Sequence, residues 1–369
     1  MNKRVLMMTN HFISLYLFRK ELIQRLCEDD YEVYLSIPHD ERNDYFRNMG
    51  CKVIEAPVDR RGVNPLRDAV LAARYIGYMR RLKPACALSY TAKPNIYGAL
   101  AARITRTKQI CNITGTGGTF LRETVLAKLL RFLYRISVKH AELVYFQNEG
   151  DRDYFMHHSM VEDNFDMIPG SGVNLEEHYA APYPESEDVI FLFSSRIYGI
   201  KGVDEFLKCA EIIKAKYPRV RFLAAGAVED PERGKEMERY EKSGIIEYLG
   251  FCSDVKELLH KCHCVVLPSH GGEGIPNSIL EASATARCVI ASRVSGCRDV
   301  VEDGVTGYLF EPGNAQDFAD KAERFINLPH EEKRQMGLRG RERAEKFFDR
   351  RTVLDKYYSK IQEYCGVLQ

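Results

Sequence analysis

A chain of 369 residues, 45% hydrophobic and 28% charged, is too long for one ordinary core and too apolar for disorder, so two globular domains are expected. No apolar run approaches the roughly 18 residues that span a bilayer, and the start "MNKRVLMMTN" has too few apolar residues for a signal-peptide core. The net charge of +1 conceals an asymmetry: Arg60 to Lys139 holds 16 basic residues against two acidic ones, Asp68 and Glu123, which suggests an anionic partner for the first half.

Taken in chain order, short β-rich apolar runs alternate with helical patterns. The first half offers "VLMMT", "YEVYLSI", "KVIEA", "ACALSY", "QICNIT", "ELVYFQ" and "FDMIP" as strands. The second half offers "VIFLFSS", "VRFLAAG", "IIEYLG", "CVVLPS", "CVIAS" and "GYLF". Near-continuous apolar strands imply sheets covered on both faces, hence parallel sheets, hence two Rossmann-like βαβ domains of α/β class. The expected division is residues 1–180, residues 181–349, and a C-terminal helix in residues 350–369 that folds back on the first domain. Two such domains are expected to face each other across a cleft at the strand carboxyl ends. The eleven cysteines are scattered, and a reducing cytoplasm suits that many unpaired thiols. The one close cluster, Cys262 to Cys264, opens an apolar strand and reads as burial rather than metal binding.

Three stretches of the second half end strands. In "FSSRIYGIKGVDEFL", Arg196 and Lys201 place two cations on a glycine-bearing loop, a set that suits a diphosphate; ordinary solvated charges are the alternative. In "YLGFCSD", Gly250 and Phe251 form a loop that could flank a nucleobase, or a simple turn. In "SHGGEGIPNSILEA", a glycine loop carries Glu273 and leads through Gly274 and Ile275 to Pro276, which suits a first helical turn. The amides of Asn277 and Ser278 would then open an anion site at the helix start. Glu281 lies about 7 Å further along the helix, within reach of a ribose diol. Glu273 would accept hydrogen bonds from sugar hydroxyls.

These stretches together, with "VIASRVSGCRDVVEDGVTGYLF" downstream and "YTAKPNIYGALAARI", "NITGTGGTF" and "IPGSGVNLEEH" in the first half, resemble the retaining glycosyltransferases of family 4, of GT-B fold. The branch they resemble builds surface polysaccharides and glycans on polyprenyl-diphosphate carriers by moving N-acetylgalactosamine, galactose or related sugars. The resemblance implies catalytic roles for Glu273, Arg196 and Lys201, with Arg196 and Lys201 on the donor diphosphate, Glu273 on the donor hexose and Glu281 on the ribose. It also implies loop amides after Gly274 at the phosphate, the Gly250 loop beside the base, a UDP-sugar cosubstrate, and neither cofactor nor metal. Many members carry a histidine before a glycine in the first domain; here Thr114 or Thr116 stands in "NITGTGGTF", and His11 is the substitute considered.

On the acceptor side, Lys93 and Asn95 in "TAKPN", with Arg60 and Arg61, are candidates for an acceptor diphosphate. The segment "RETVLAKLLRFLYRISVKH" spaces Lys128, Arg131, Arg135 and Lys139 as one helical stripe, so it reads as a basic amphipathic helix for an anionic membrane surface; a helix with its cations in water is the alternative. The expected partners are thus a UDP-sugar, a lipid-linked saccharide and the inner face of a membrane, with no nucleic acid, since no aromatic-basic recognition motif accompanies the charge. A GT-B-fold UDP-sugar 2-epimerase would need more first-domain acids than this chain has. A non-catalytic sugar-nucleotide binder would have no need of all four of Arg196, Lys201, Glu273 and Glu281.

Overall fold

The computed structural model of the protein describes residues 2–59, 62–186 and 188–367. The chain divides into two compact units, 1–171 with 351–369, and 172–350. The first unit runs β1 (Arg4–Met8), α1 (Phe12–Glu28), β2 (Glu32–Ile37), α2 (Asp44–Asn48), β3 (Lys52–Glu55), α3 (Pro65–Leu82), β4 (Cys86–Tyr90), α4 (Ala92–Thr105), β5 (Lys108–Ile113), α5 (Val125–Ile136), β6 (Leu143–Phe146), α6 (Glu149–His157) and β7 (Phe165–Met167). The second runs β8 (Ile190–Ser194), α7 (Val203–Lys216), β9 (Arg221–Ala225), α8 (Pro231–Lys242), β10 (Glu247–Tyr248), α9 (Lys256–Lys261), β11 (Cys264–Leu267), α10 (Asn277–Ala284), β12 (Cys288–Ser292), α11 (Cys297–Val300), β13 (Gly307–Phe310), α12 (Ala315–Ile326) and α13 (His330–Phe347). A last helix, α14 (Arg350–Tyr364), returns to the first unit.

Every expected strand run forms a strand, and both sheets are parallel: β3-β2-β1-β4-β5-β6-β7 and β10-β9-β8-β11-β12-β13. The reason is visible in β1. Val5 and Met7 enter a core with α1 and α14, whereas Leu6 and Met8 enter one with α3 and α4, so both sides of the strand must be apolar. The order turns around beside β1 in one sheet and beside β8 in the other, which makes the carboxyl ends of β8 and β11 the place for a ligand loop.

The first unit ends nine residues earlier than the prolines of "AAPYPESED" suggest. Val173 N donates to Phe348 O at 2.8 Å and Arg350 N to Val173 O at 3.1 Å, so residues 172–180 belong with the end of α13. The terminal helix contributes Val353, Tyr357 and Ile361, all 0% exposed, to the core around α1. Its rim adds an ion pair from Arg25 to Asp355 at 2.7 Å.

Candidate active site

In the second unit three loops meet at the strand carboxyl ends. After β8, backbone pairing to β9 continues through Ser195 and Ile197, and Ile197 is buried. Arg196 between them therefore points outward, where its Nη1 sits 2.9 Å from Glu229 Oε2. A short 3₁₀ turn, Gly199–Lys201, follows and ends at Gly202, which caps α7 in a left-handed conformation (φ 74°). A β-carbon there would lie 1.8 Å from the Pro268 carbonyl oxygen, so only glycine lets this turn touch the loop after β11. A hydrogen bond fastens the contact, His270 N donating to Ile200 O at 2.8 Å, and Ser269 Oγ lies 3.2 Å from the same oxygen.

That closeness brings Lys201 and Glu273 together across 72 positions of sequence. Lys201 Nζ donates to Glu273 Oε1 at 2.5 Å, and Ser269 Oγ donates to the same oxygen at 2.7 Å. Both charged side chains are nearly buried, 13% and 14% exposed. Burial acts to raise the Glu273 carboxyl, but attraction to Lys201, hydrogen bonds from Lys201 and Ser269, and the charge of Arg196 outweigh it and hold the group below the usual carboxylate range. The far side of the loop is clamped by Gly296 (φ 76°), whose β-carbon would fall 1.7 Å from Gly274 O, and by Ser292 Oγ donating to Ser269 O.

The ammonium has three donors, and one goes to Glu273, so two remain to face an anion. The helix start supplies more. Pro276 is the N-cap of α10 rather than its first residue, because its ψ of 124° is extended; no side chain caps the helix. The first backbone bond of the helix is Leu280 N to Pro276 O at 3.3 Å, so the amides of Asn277, Ser278 and Ile279 precede it. Ile275 itself is 5% exposed and anchors the core.

Glu281 lies on the second turn of α10 and is half-buried. Burial pushes its carboxyl up to about 7, Asp254 and Glu177 add to the rise, and Arg350 opposes it. The field of Asp254 ties this residue to the loop after β10. There Gly250 adopts φ 69° and its carbonyl accepts from Gly226 N at 2.8 Å, and Phe251 is 68% exposed. A carboxylate must be ionised to accept hydrogen bonds at both oxygens from a diol. With its titration near 7, a nucleotide diester whose ribose diol Glu281 held would bind about tenfold more weakly at pH 6 than at pH 8. Isothermal titration across that window checks it, and Glu281→Gln should flatten the profile.

Of the residues expected to act together, Arg196, Lys201, Glu273, Gly274, Ile275, Pro276, Asn277 and Ser278 belong to one loop cluster, and Glu281, Gly250 and Phe251 are linked through Asp254. Ser269, Glu229 and Arg350 escaped sequence reasoning. Ser269 stands four residues before Glu273 at a strand end and could have been found there; nothing in spacing points to the other two. His263, in the Cys262–Cys264 cluster, is structural: Nδ1 accepts from Ile190 N at 3.1 Å and Nε2 lies 3.0 Å from Ser186 O. Among the described residues no group of three or more His, Cys, Asp or Glu side chains could hold a metal ion.

The first-unit candidates that are described have partners within the fold or lie on the loop after β5. Asn95 is 1% exposed and ties strand ends together, accepting from Ser89 Oγ at 2.7 Å and donating to Asn112 O at 2.8 Å. Lys93 is bound to Asp68 at 2.6 Å with both side chains about 15% exposed. His11 caps α1, its Nδ1 accepting from Ser14 N at 3.1 Å. Thr114 is exposed and Thr116 half-buried on the glycine loop after β5. Arg60 and Arg61 lie outside the described residues.

The expected basic stripe is not one free row of cations: Arg131 is buried, Lys139 is half-buried, and Lys128 and Arg135 are exposed. Arg131 is 7% exposed, with its Nη1 and Nη2 on Glu123 at 2.7 Å and 2.5 Å and Nη1 on Tyr154 OH at 2.9 Å. Arg135 Nε donates to His158 O at 2.7 Å, and Lys139 pairs with Glu162 at 2.9 Å. Three of the four cations thus fasten the helix to its own domain, and Lys128 alone of the four is an exposed residue that makes none of these bonds. Among the described residues no helix is long and apolar enough to cross a membrane.

Residues 4–148 match the family described as glycosyl transferase 4-like, and residues 176–343 match glycosyl transferases group 1. The chain is 30% identical over 329 residues to the N,N'-diacetylbacillosaminyl-diphospho-undecaprenol alpha-1,3-N-acetylgalactosaminyltransferase of Campylobacter jejuni, an alignment covering 84% of this chain and 85% of that protein. In fold it is similar to Anabaena Alr3699/HepE in complex with UDP-glucose (TM-score 0.80, 18% identity, 99% and 100% of the two chains). It is similar also to sucrose-phosphate synthase from Thermosynechococcus elongatus (TM-score 0.81, 16% identity, 99% and 100%). With a family match in each unit, a relative aligned along most of the length and two parallel Rossmann-like sheets, the chain belongs to the GT-B glycosyltransferases of the group 1, family 4-like kind.

Proposed function

We propose that the protein moves a hexose or N-acetylhexosamine from a UDP-sugar to a saccharide carried on a polyprenyl diphosphate at the cytoplasmic face of a membrane, with retention at the anomeric carbon. The observation that carries the donor half is the knot of Lys201, Glu273 and Ser269 beside the uncapped start of α10. The name of the Campylobacter relative supports the acceptor half.

In this reading Lys201, Arg196 and the α10 amides take up the negative charge that grows on the diphosphate as its bond to the sugar breaks. Glu273, held by Ser269 and Lys201, accepts from the hexose hydroxyls and fixes the ring. Glu281 accepts from the ribose. The acceptor hydroxyl bonds to the anomeric carbon on the face the nucleotide leaves, and its proton passes to the departing phosphate oxygen. These cations do the charge balancing that a divalent ion does elsewhere, so the rate should be insensitive to EDTA.

The test is the full chain with a panel of UDP-sugars and polyprenyl-diphosphate saccharides, scored for nucleotide release, product mass and anomeric configuration. One UDP-sugar should give a product heavier by one sugar. Interconversion of UDP-sugars without acceptor would instead mark an epimerase.

A further inference from the structure

The cysteines are scattered in the sequence, but the fold of the first unit sets two of them side by side. Cys27 Sγ stands 3.7 Å from Cys51 Sγ, across 24 positions of sequence. Cys27 is on the last turn of α1, and Cys51 lies between α2 and the first residue of β3. Backbone bonds fix both places: Asp30 N donates to Cys27 O at 3.2 Å, and Cys51 N donates to Phe46 O at 3.0 Å. Two separate turns thus hold the sulfurs together, and closing to the roughly 2.05 Å of a disulfide takes less than about 2 Å of movement.

The two sulfurs are unequal in a way that suits stepwise chemistry. Cys51 is buried, whereas Cys27 is only half-buried and reaches solvent. Once Cys27 ionises, the Cys51 S–H can donate to it. That hydrogen bond holds the Cys27 thiol below its ordinary range, and together with burial it pushes the Cys51 thiol up. Cys27 is therefore the sulfur that meets a reagent, with Cys51 waiting behind it. The neighbouring thiols of Cys86 and Cys365 lack this asymmetry, because both residues are buried.

The location says what a bond between them would do. β3 is the edge of the first sheet, beside β2, with Lys52 and Glu55 exposed and Val53 and Ile54 half-buried. A short edge strand with so little burial is among the first elements to open. The end of α1 is better fastened. There Tyr358 OH of α14 donates to Asp29, and the Arg25 guanidinium lies 3.8 Å from the centre of the Tyr358 ring. A Cys27–Cys51 bond would tie the loose edge to the fastened helix.

We propose that Cys27 and Cys51 are a reversible thiol–disulfide site that staples β3 to α1 when low-molecular-weight disulfides accumulate. The Cys27 thiolate attacks one sulfur of such a disulfide and expels the other half as a thiolate. The Cys51 thiol then gives its proton to solvent and attacks Cys27 Sγ, expelling the second half. The protein gives up two electrons and two protons, and one small disulfide becomes two small thiols. An excess of small thiol runs the same steps backwards and restores the pair.

Oxidised glutathione is the probe. The full chain is incubated with it, free thiols are alkylated, and peptides are mapped by mass spectrometry without reductant. The wild type should give a linked pair, the Cys27 peptide joined to the Cys51 peptide. Its melting temperature should rise by about 5 °C and fall back with dithiothreitol. Cys51→Ala should stop with glutathione held on Cys27, and Cys27→Ala should leave Cys51 unmodified. Should Cys51→Ala fail to fold, Cys27→Ser at the half-buried position keeps the test, and its melting temperature should not respond to the oxidant. The proposal fails if both wild-type thiols are alkylated, if glutathione stays on wild-type Cys27, or if Cys27 links to a cysteine other than Cys51. A linked protein that melts where the reduced one does would overturn the stapling of the edge strand.

Discussion

Lys201→Ala should reduce sugar transfer by about 10²–10³-fold, the cost of removing one preorganised charge-stabilising donor from a reacting centre. The same change should also lower stability, which a surface lysine would not do. Lys201 and Glu273 are 13% and 14% exposed and 2.5 Å apart, so deleting the ammonium takes the bonded cation away from an enclosed carboxylate. Breaking such a pair costs about 3 kcal/mol, or roughly 6–12 °C for a domain of this size. Glu273→Ala should cost less, since the ammonium keeps two donors for water. The double variant should recover stability relative to Lys201→Ala while staying inactive. Thermal melts and initial rates on the four proteins of the cycle separate the two effects. Additive losses of stability would show that the two side chains do not interact.

Gly202→Ala is expected to have the second largest effect, about 3–4 kcal/mol of stability together with loss of donor binding. A methyl group here meets the Pro268 carbonyl oxygen at 1.8 Å, backbone that cannot swing aside as a side chain would. The turn must move off the loop after β11, taking Lys201 from Glu273 and Ile200 O from Ser269 and His270. Gly244→Ala is the control. That glycine has the same φ of 74° but nothing within 4 Å of the added carbon, so it reports the conformational cost alone, about 1–2 kcal/mol. If the two variants melt alike, close approach contributes nothing and the clamp is not what holds the site.

The two kinds of information in the chain were unequally legible. Strands such as "CVVLP" and "VIFLFSS" declare themselves because both faces of a covered parallel sheet are apolar, a property of consecutive residues. The helix start at Asn277 and the glycine loop before it are local in the same way. What a helical projection of α5 cannot tell is which side turns inward. Leucine and arginine occupy distinct faces in either orientation, and the choice was made by Glu123 and Tyr154, the second 23 residues away. The pairing of Lys201 with Glu273 was hidden for a like reason: each was assigned a ligand separately, and their mutual contact depends on Gly202 against Pro268. Asn95 looked like a loop residue after a strand, but its amide was needed by Ser89 and Asn112 beneath it.

The return of α14 to the first unit has a consequence for how the molecule is made. The core around α1 is closed by Val353, Tyr357 and Ile361, which leave the ribosome only after the whole of residues 172–350. At ordinary elongation rates that is a wait of roughly 10–35 s. During it one side of the first unit's sheet lacks its cover, and when α14 emerges the second unit already has every residue of its own core. The later unit thus has its full complement of core residues before the earlier one does, although the earlier one is made first.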